Sequence, residues 1–160
     1  MRRTMTRIMK ERWDANKDKL RDALAERTDL NHCNYEDLVN LAFEVIYNTD
    51  ANETGYQVLN LNNITVVDDG DYQGTVVLLI PFDTYQPGEH EYIMTYIGYG
   101  SCSGCDVLQA VQSCGDYGKK KATEDQLDGF MDICRELICN AIKPYNFGWR
   151  EDENWNPAEF

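Results

Sequence analysis

Between Thr28 and Gly118 the chain has no lysine and no arginine, while fourteen Asp and Glu residues fall in the same stretch. Protein surfaces ordinarily mix both signs of charge. A body without basic side chains repels phosphate backbones and attracts basic surfaces, which argues against direct nucleic-acid binding. Histidine is nearly missing too. His32 and His90 are the only two, and neither stands in a recognised pattern with a Ser or Cys nucleophile. Hydrolase elbow, HExxH helix and kinase signature are all lacking. No apolar run approaches the ~20 residues of a membrane span, and the basic N-terminus lacks the apolar core of a signal peptide. These absences predict a cytoplasmic protein, leaning away from enzyme activity, that does not enter a membrane.

What is present describes one globular domain. The chain has 160 residues, of which 42% are hydrophobic and 27% charged, enough to bury a core without help. Net charge is −13, yet residues 1–21 hold eight Lys/Arg against three acids. Six cysteines, without an export signal, read as free thiols rather than a disulfide framework.

Periodicity places the elements. Met5, Ile8, Met9, Trp13, Leu20 and Leu24 predict a basic helix within residues 1–27, with a narrow stripe interrupted at Asn16 and Lys17. Such a helix can pack across the body, protrude from it, or pair with a second copy as a homodimer. Asn34 reads as the cap of a second helix carrying Leu38, Leu41, Ala42, Val45 and Ile46. Strand-like runs follow at Gln57–Leu61, Ile64–Asp68, Tyr72–Ile80 and Glu91–Tyr99. Asp69-Gly70 is a hairpin signal, and Pro87-Gly88 fits a type II turn. Connections this short demand antiparallel pairing. The run Val76–Ile80 is apolar on both faces, as a central strand covered on two sides would be. A short helix follows at Val107–Val111, and Thr123 with Gln126 forms a capping box for the last helix, which Pro144 ends. The fold class is therefore α+β: an antiparallel meander of three to four strands, packed by two N-terminal and two C-terminal helices. Residues 1–144 form the domain, and 145–160 an aromatic and acidic tail.

The chemistry concentrates in Tyr96-Ile-Gly-Tyr-Gly-Ser-Cys-Ser-Gly-Cys-Asp106. Two thiols three apart, after a strand and before a helix, sit where N–H groups and the helix dipole favour a thiolate. Cys102 and Cys105 have half the spacing of a zinc site, with Cys114 the nearest further ligand. Disulfide exchange uses the same pair. The flanking hairpins are not a βαβ unit, however, no proline precedes a strand beside the thiols, and Asp106 opposes a thiolate at Cys105. The plainest alternative is a sharp turn permitted by Gly98, Gly100 and Gly104, capped by Ser103 or Asp106, with the cysteines as small fillers. Gly98-x-Gly100-x-x-x-Gly104 lacks both the P-loop lysine and Rossmann spacing, so it is a weak nucleotide loop. Asp68, Asp69 and Asp71 lack EF-hand spacing and read as turn residues rather than calcium ligands.

Asp71-Tyr-Gln-Gly-Thr75, then Tyr85-Gln-Pro87, then Tyr96 through Asp106, resemble small uncharacterised proteins of tailed bacteriophages and prophages. The likeness covers about residues 64–112. It implies a bacterial cytoplasm and a small accessory protein acting on a host or phage component. It carries over no catalytic residue, because no activity is established for those proteins. Together these readings favour an acidic binding protein that engages a basic protein surface. Asp68, Asp69, Asp71, Asp83, Glu89 and Glu91 at the hairpin ends are its contacts, and the aromatic tail is a second docking element. The alternative is a thiol protein using Cys102, Cys105 and Cys114. No cofactor is expected on the first reading, and zinc only on the second.

Overall fold

A computed structural model describes residues 5–51 and 57–143. Among these, two α-helices precede a three-stranded sheet and two follow it, the segregation of helices from strands that the α+β reading requires. Helix α1 spans Met5–Glu26, and α2 spans Tyr35–Phe43 and runs on as a π-turn over Glu44–Asn48. Strands β1 (Thr65–Asp68), β2 (Gly74–Pro81) and β3 (Tyr92–Tyr99) follow, then α3 (Val107–Ser113) and α4 (Glu124–Cys139). The expected aromatic and acidic tail, residues 145–160, lies outside the described residues.

The basic first helix does not project from the body. Met5, Ile8, Met9, Trp13, Leu20 and Leu24 are buried, and the helix packs along α4 and the π-turn. Asn16 looks like a break in this stripe and is part of it. It is fully buried, and its Nδ2 donates to the carbonyls of Arg12 at 3.1 Å and Ile46 at 3.4 Å. Arg12 is buried beside it, donates to the Tyr47 carbonyl at 2.7 Å and lies 5.7 Å from the centre of the Tyr47 ring. Both side chains serve carbonyls of the π-turn, a pairing that helical periodicity cannot reveal. The stripe proposed for pairing with a second copy is thus occupied within the protomer.

The sheet is an antiparallel meander in the order β1-β2-β3, with Val67 opposite Val77 and Val77 opposite Tyr96. One face is core: Val76, Leu78 and Ile80 of β2 alternate inward and meet Ile93 and Ile97 of β3. The other face is open, with Val67 49% and Tyr96 41% exposed, so β2 is central but covered on one side only. The first expected strand, Gln57–Leu61, shrinks to a single bridge between Leu59 and Phe82 before a 3-10 turn at Leu61–Asn63. Asn60 caps that turn by accepting from the Asn62 N–H, a local bond that competes with strand pairing. Pro87-Gly88 is not a type II turn, because Gly88 has no positive φ. Its N–H goes instead to Glu91 Oε2 at 2.8 Å.

The caps are as read. Asn34 and Asp37 form a reciprocal capping box on α2, and Thr123 and Gln126 form one on α4. Helix α4 buries Leu127, Phe130, Ile133, Cys134, Leu137 and Ile138. Past its end, Ile142 pairs with Met94 through two 2.8 Å bonds and covers part of the β3 edge. The β1 edge is exposed along its length.

Candidate functional site: the cysteine loop and its neighbouring cavity

Strand β3 ends at Tyr99 and α3 begins at Val107, so the cysteine loop is a seven-residue link at one end of the sheet. Asp106 organises it. The carboxylate is only 5% exposed and turns inward, accepting from the Gln109 N–H at 2.8 Å as the N-cap of α3. It also accepts from the Gly100 N–H at 3.0 Å and the Tyr35 hydroxyl at 3.2 Å. One side chain thereby joins α2, the end of β3 and α3. The Tyr35 hydroxyl in turn accepts from the Leu108 N–H at 3.3 Å.

Of the loop glycines, Gly100 is the one that geometry demands. A Cβ there would lie 2.4 Å from the Cys105 carbonyl oxygen and 2.7 Å from its sulfur, while Gly98 and Gly104 have ordinary room. None of the three has a positive φ.

The two thiols converge. Cys102 Sγ and Cys105 Sγ lie 2.8 Å apart, both exposed. The turn between them closes by bonds from the Cys105 and Asp106 N–H groups to the Cys102 carbonyl, at 3.0 and 2.8 Å. The Cys102 N–H points at Cys105 Sγ at 3.1 Å, and the Ser101 hydroxyl stands 3.8 Å from the same sulfur. Cys105 is held below the ordinary thiol range, first by its hydrogen bond with the Cys102 thiol, then by the Cys102 N–H, with Ser101 adding to both. The Asp106 carboxylate, expected to oppose a thiolate, is engaged instead by the Gln109 and Gly100 N–H groups and the Tyr35 hydroxyl. The start of α3 does not supply the activating donors, because Asp106 and Tyr35 take the Gln109 and Leu108 N–H groups. Cys114 is exposed and donates to the Ala110 carbonyl at 3.2 Å. It does not join the pair: among the described residues no three His, Cys, Asp or Glu side chains form a metal-holding group.

Behind the loop lies an open cavity of about 360 Å³, between the start of α2, the inner side of β1 and α3. Val66, Val76 and Leu108 supply apolar wall, and Tyr35 and Tyr99 supply rings. Glu36, Asp68 and Asp106 supply carboxylates, and no Lys or Arg lines it. Tyr99 donates to Asp68 Oδ1 at 2.6 Å, which pushes the phenol up to about 12 and draws the carboxyl below its usual range. The buried Cys33 thiol at the cavity's edge is pushed up to about 11, chiefly by desolvation.

The six acids of the sequence reading separate into two groups. Asp68, Asp69 and Asp71 stand at the β1–β2 hairpin, where Gly74 pairs with Tyr99, on the cavity side. Asp83, Glu89 and Glu91 stand at the β2–β3 connection, an eight-residue strand away, roughly 25 Å at the usual rise. Several have local duties. Asp68 and Asp69 accept from the Gly70 and Thr75 N–H groups, and Glu91 from the Gly88 N–H. Sequence reasoning passed over Tyr35, Tyr99 and Glu36, because nothing local marks side chains that meet only through the fold. Asp106 was legible as a cap and no further.

No protein-family model, curated protein or solved structure matches the chain. Among the described residues no helix is long and apolar enough to cross a membrane.

Proposed function

We propose that this is a non-enzymatic acidic binding protein, a phage-like accessory factor of the bacterial cytoplasm, which takes a basic side chain of a partner protein into the cavity beside the cysteine loop. The observation that carries the proposal is the cavity's lining: three carboxylates, two tyrosines and apolar wall, without a basic residue. An arginine or lysine fits that chemistry. Its methylene stem would lie on Val66, Val76 and Leu108, and its charged head would meet Glu36 and Asp68. A ring face of Tyr35 or Tyr99 offers about 0.5–1 kcal/mol of cation–π attraction at such an exposed site. Asp69 and Asp71 would add attraction at the rim, and Asp83, Glu89 and Glu91 would steer approach at the far end. The charge of −13 makes encounter with a basic surface fast and salt-sensitive.

The test is fluorescence anisotropy with a labelled arginine- and lysine-containing peptide at low salt. A Glu36→Gln/Asp68→Asn variant should weaken binding at least about tenfold, a loss of ~1.4 kcal/mol. An Asp83→Asn/Glu89→Gln/Glu91→Gln variant should weaken it far less. Equal losses from both would reduce the effect to net charge and remove the cavity from the account.

A further inference from the structure

The binding reading leaves the paired thiols without a task, and their geometry is specific. Two sulfurs 2.8 Å apart stand well inside the ~4 Å at which side chains count as touching, and within reach of a ~2.05 Å bond. We infer that Cys102 and Cys105 form a dithiol–disulfide exchange site, with Cys105 the attacking sulfur and Cys102 the resolving one.

Three observations support these roles. Both sulfurs are exposed, so an external disulfide can reach them. The Cys102 N–H points at Cys105 Sγ at 3.1 Å, so a negative charge on that sulfur has a fixed donor waiting. The turn held by the Cys102 carbonyl keeps the second thiol beside the first without rearrangement. The lowered pKa of Cys105 agrees with this assignment. Gly100 makes the arrangement sterically feasible, since any side chain there would displace Cys105.

The co-reactant is a low-molecular-weight disulfide such as oxidised glutathione. Cys105 thiolate attacks one of its sulfurs, a Cys105–glutathione bond forms, and one glutathione thiolate leaves. Cys102 loses its proton to solvent and attacks Cys105 Sγ. The mixed disulfide breaks, the Cys102–Cys105 bond forms and the second glutathione thiolate leaves. Two electrons pass from the loop to the external disulfide, which is reduced to two thiols. Reduced glutathione reverses both steps.

The full-length protein equilibrated in glutathione buffers of varied ratio, then alkylated and digested with chymotrypsin, gives the answer by mass. Cleavage after Tyr99 and Leu108 isolates Cys102 and Cys105 from the other thiols. Wild type should pass reversibly from two alkyl groups on this peptide to none, with loss of two hydrogens and no glutathione adduct. Cys102→Ser should trap one glutathione on Cys105, whereas Cys105→Ser should form its adduct at Cys102 much more slowly. Exposed Cys114 is the internal reference, and it should carry single glutathione adducts in oxidising buffer. A wild-type loop that takes two alkyl groups at every ratio would overturn the site. So would a loop that accumulates mixed disulfide as Cys114 does. Faster adduct formation in Cys105→Ser than in Cys102→Ser would overturn the assignment of the attacking sulfur. Circular dichroism of each variant separates these results from unfolding.

Discussion

Replacing Asp106 with alanine should be among the more damaging single changes at this end of the sheet, and its size follows from the bonds it breaks. The carboxylate is the N-cap of α3 through the Gln109 N–H, a contribution of about 1 kcal/mol at a typical cap. It is also the acceptor for the buried Gly100 N–H, and a hydrogen bond to a charged group contributes about 1.5–3 kcal/mol. Tyr35 loses an acceptor but keeps its bond from the Leu108 N–H, so it adds little. The expected cost is about 3 kcal/mol. Asp106→Asn should cost less, because asparagine is an equally good cap, and what it loses is the second oxygen facing Gly100. Urea unfolding reads both values, as a lower midpoint at unchanged slope. A cost for alanine within ~0.5 kcal/mol of zero, the range of an ordinary surface change, would refute the role given to Asp106. So would an asparagine variant less stable than the alanine one.

Three other substitutions test neighbouring parts of the fold. Gly100→Ala places a methyl 2.4 Å from the Cys105 carbonyl oxygen and should destabilise by about 1–3 kcal/mol in urea, with altered Cys105 alkylation rates. Phe130→Ala, at a fully buried position on α4, should cost ~3–5 kcal/mol by the same measurement. Asp68→Asn should return the Tyr99 phenol from about 12 toward the ordinary value near ~10, read as tyrosinate absorbance against a Tyr99→Phe control. The sign is fixed by the two shifts. The Asp68–Tyr99 bond stabilises the fold across the neutral range. Its contribution fades as pH rises through the raised phenol value, and also as pH falls through the depressed carboxyl value.

The α+β class, the meander order, the Asn34 cap and the Thr123–Gln126 capping box were legible because each rests on near neighbours in sequence. Asn34, and Thr123 with Gln126, signal helix starts within a single turn, while the return bond from the Asn34 N–H to Asp37 came with the structure. Short links between strands leave only antiparallel pairing. What depends on distant partners was not legible. Asn16 looks like an interruption of a stripe and Arg12 like one more surface base, and both are buried with the π-turn after α2 presenting carbonyls to them. Val77 and Leu79 look buried, yet face outward on a sheet that helices cover on one side. The cysteine loop could be found from its letters. Its geometry could not, since it depends on Asp106 turning inward both to Gly100 in its own loop and to Tyr35, seventy-one positions earlier in the chain. The acids at the hairpin ends were visible as a charge excess at the two ends of β2, but that Asp68 lines a cavity and meets Tyr99 needed the fold.

The most direct test of cavity binding is a nuclear magnetic resonance titration of the isotope-labelled protein with the same basic peptide. If a basic side chain enters the cavity, the largest amide shifts should map to Tyr35, Glu36, Gly100, Leu108 and Gln109 on its wall, and they should fade as salt is added. Shifts centred on Asp83, Glu89 and Glu91 at the opposite end of β2, or scattered evenly over the acidic surface, would contradict it.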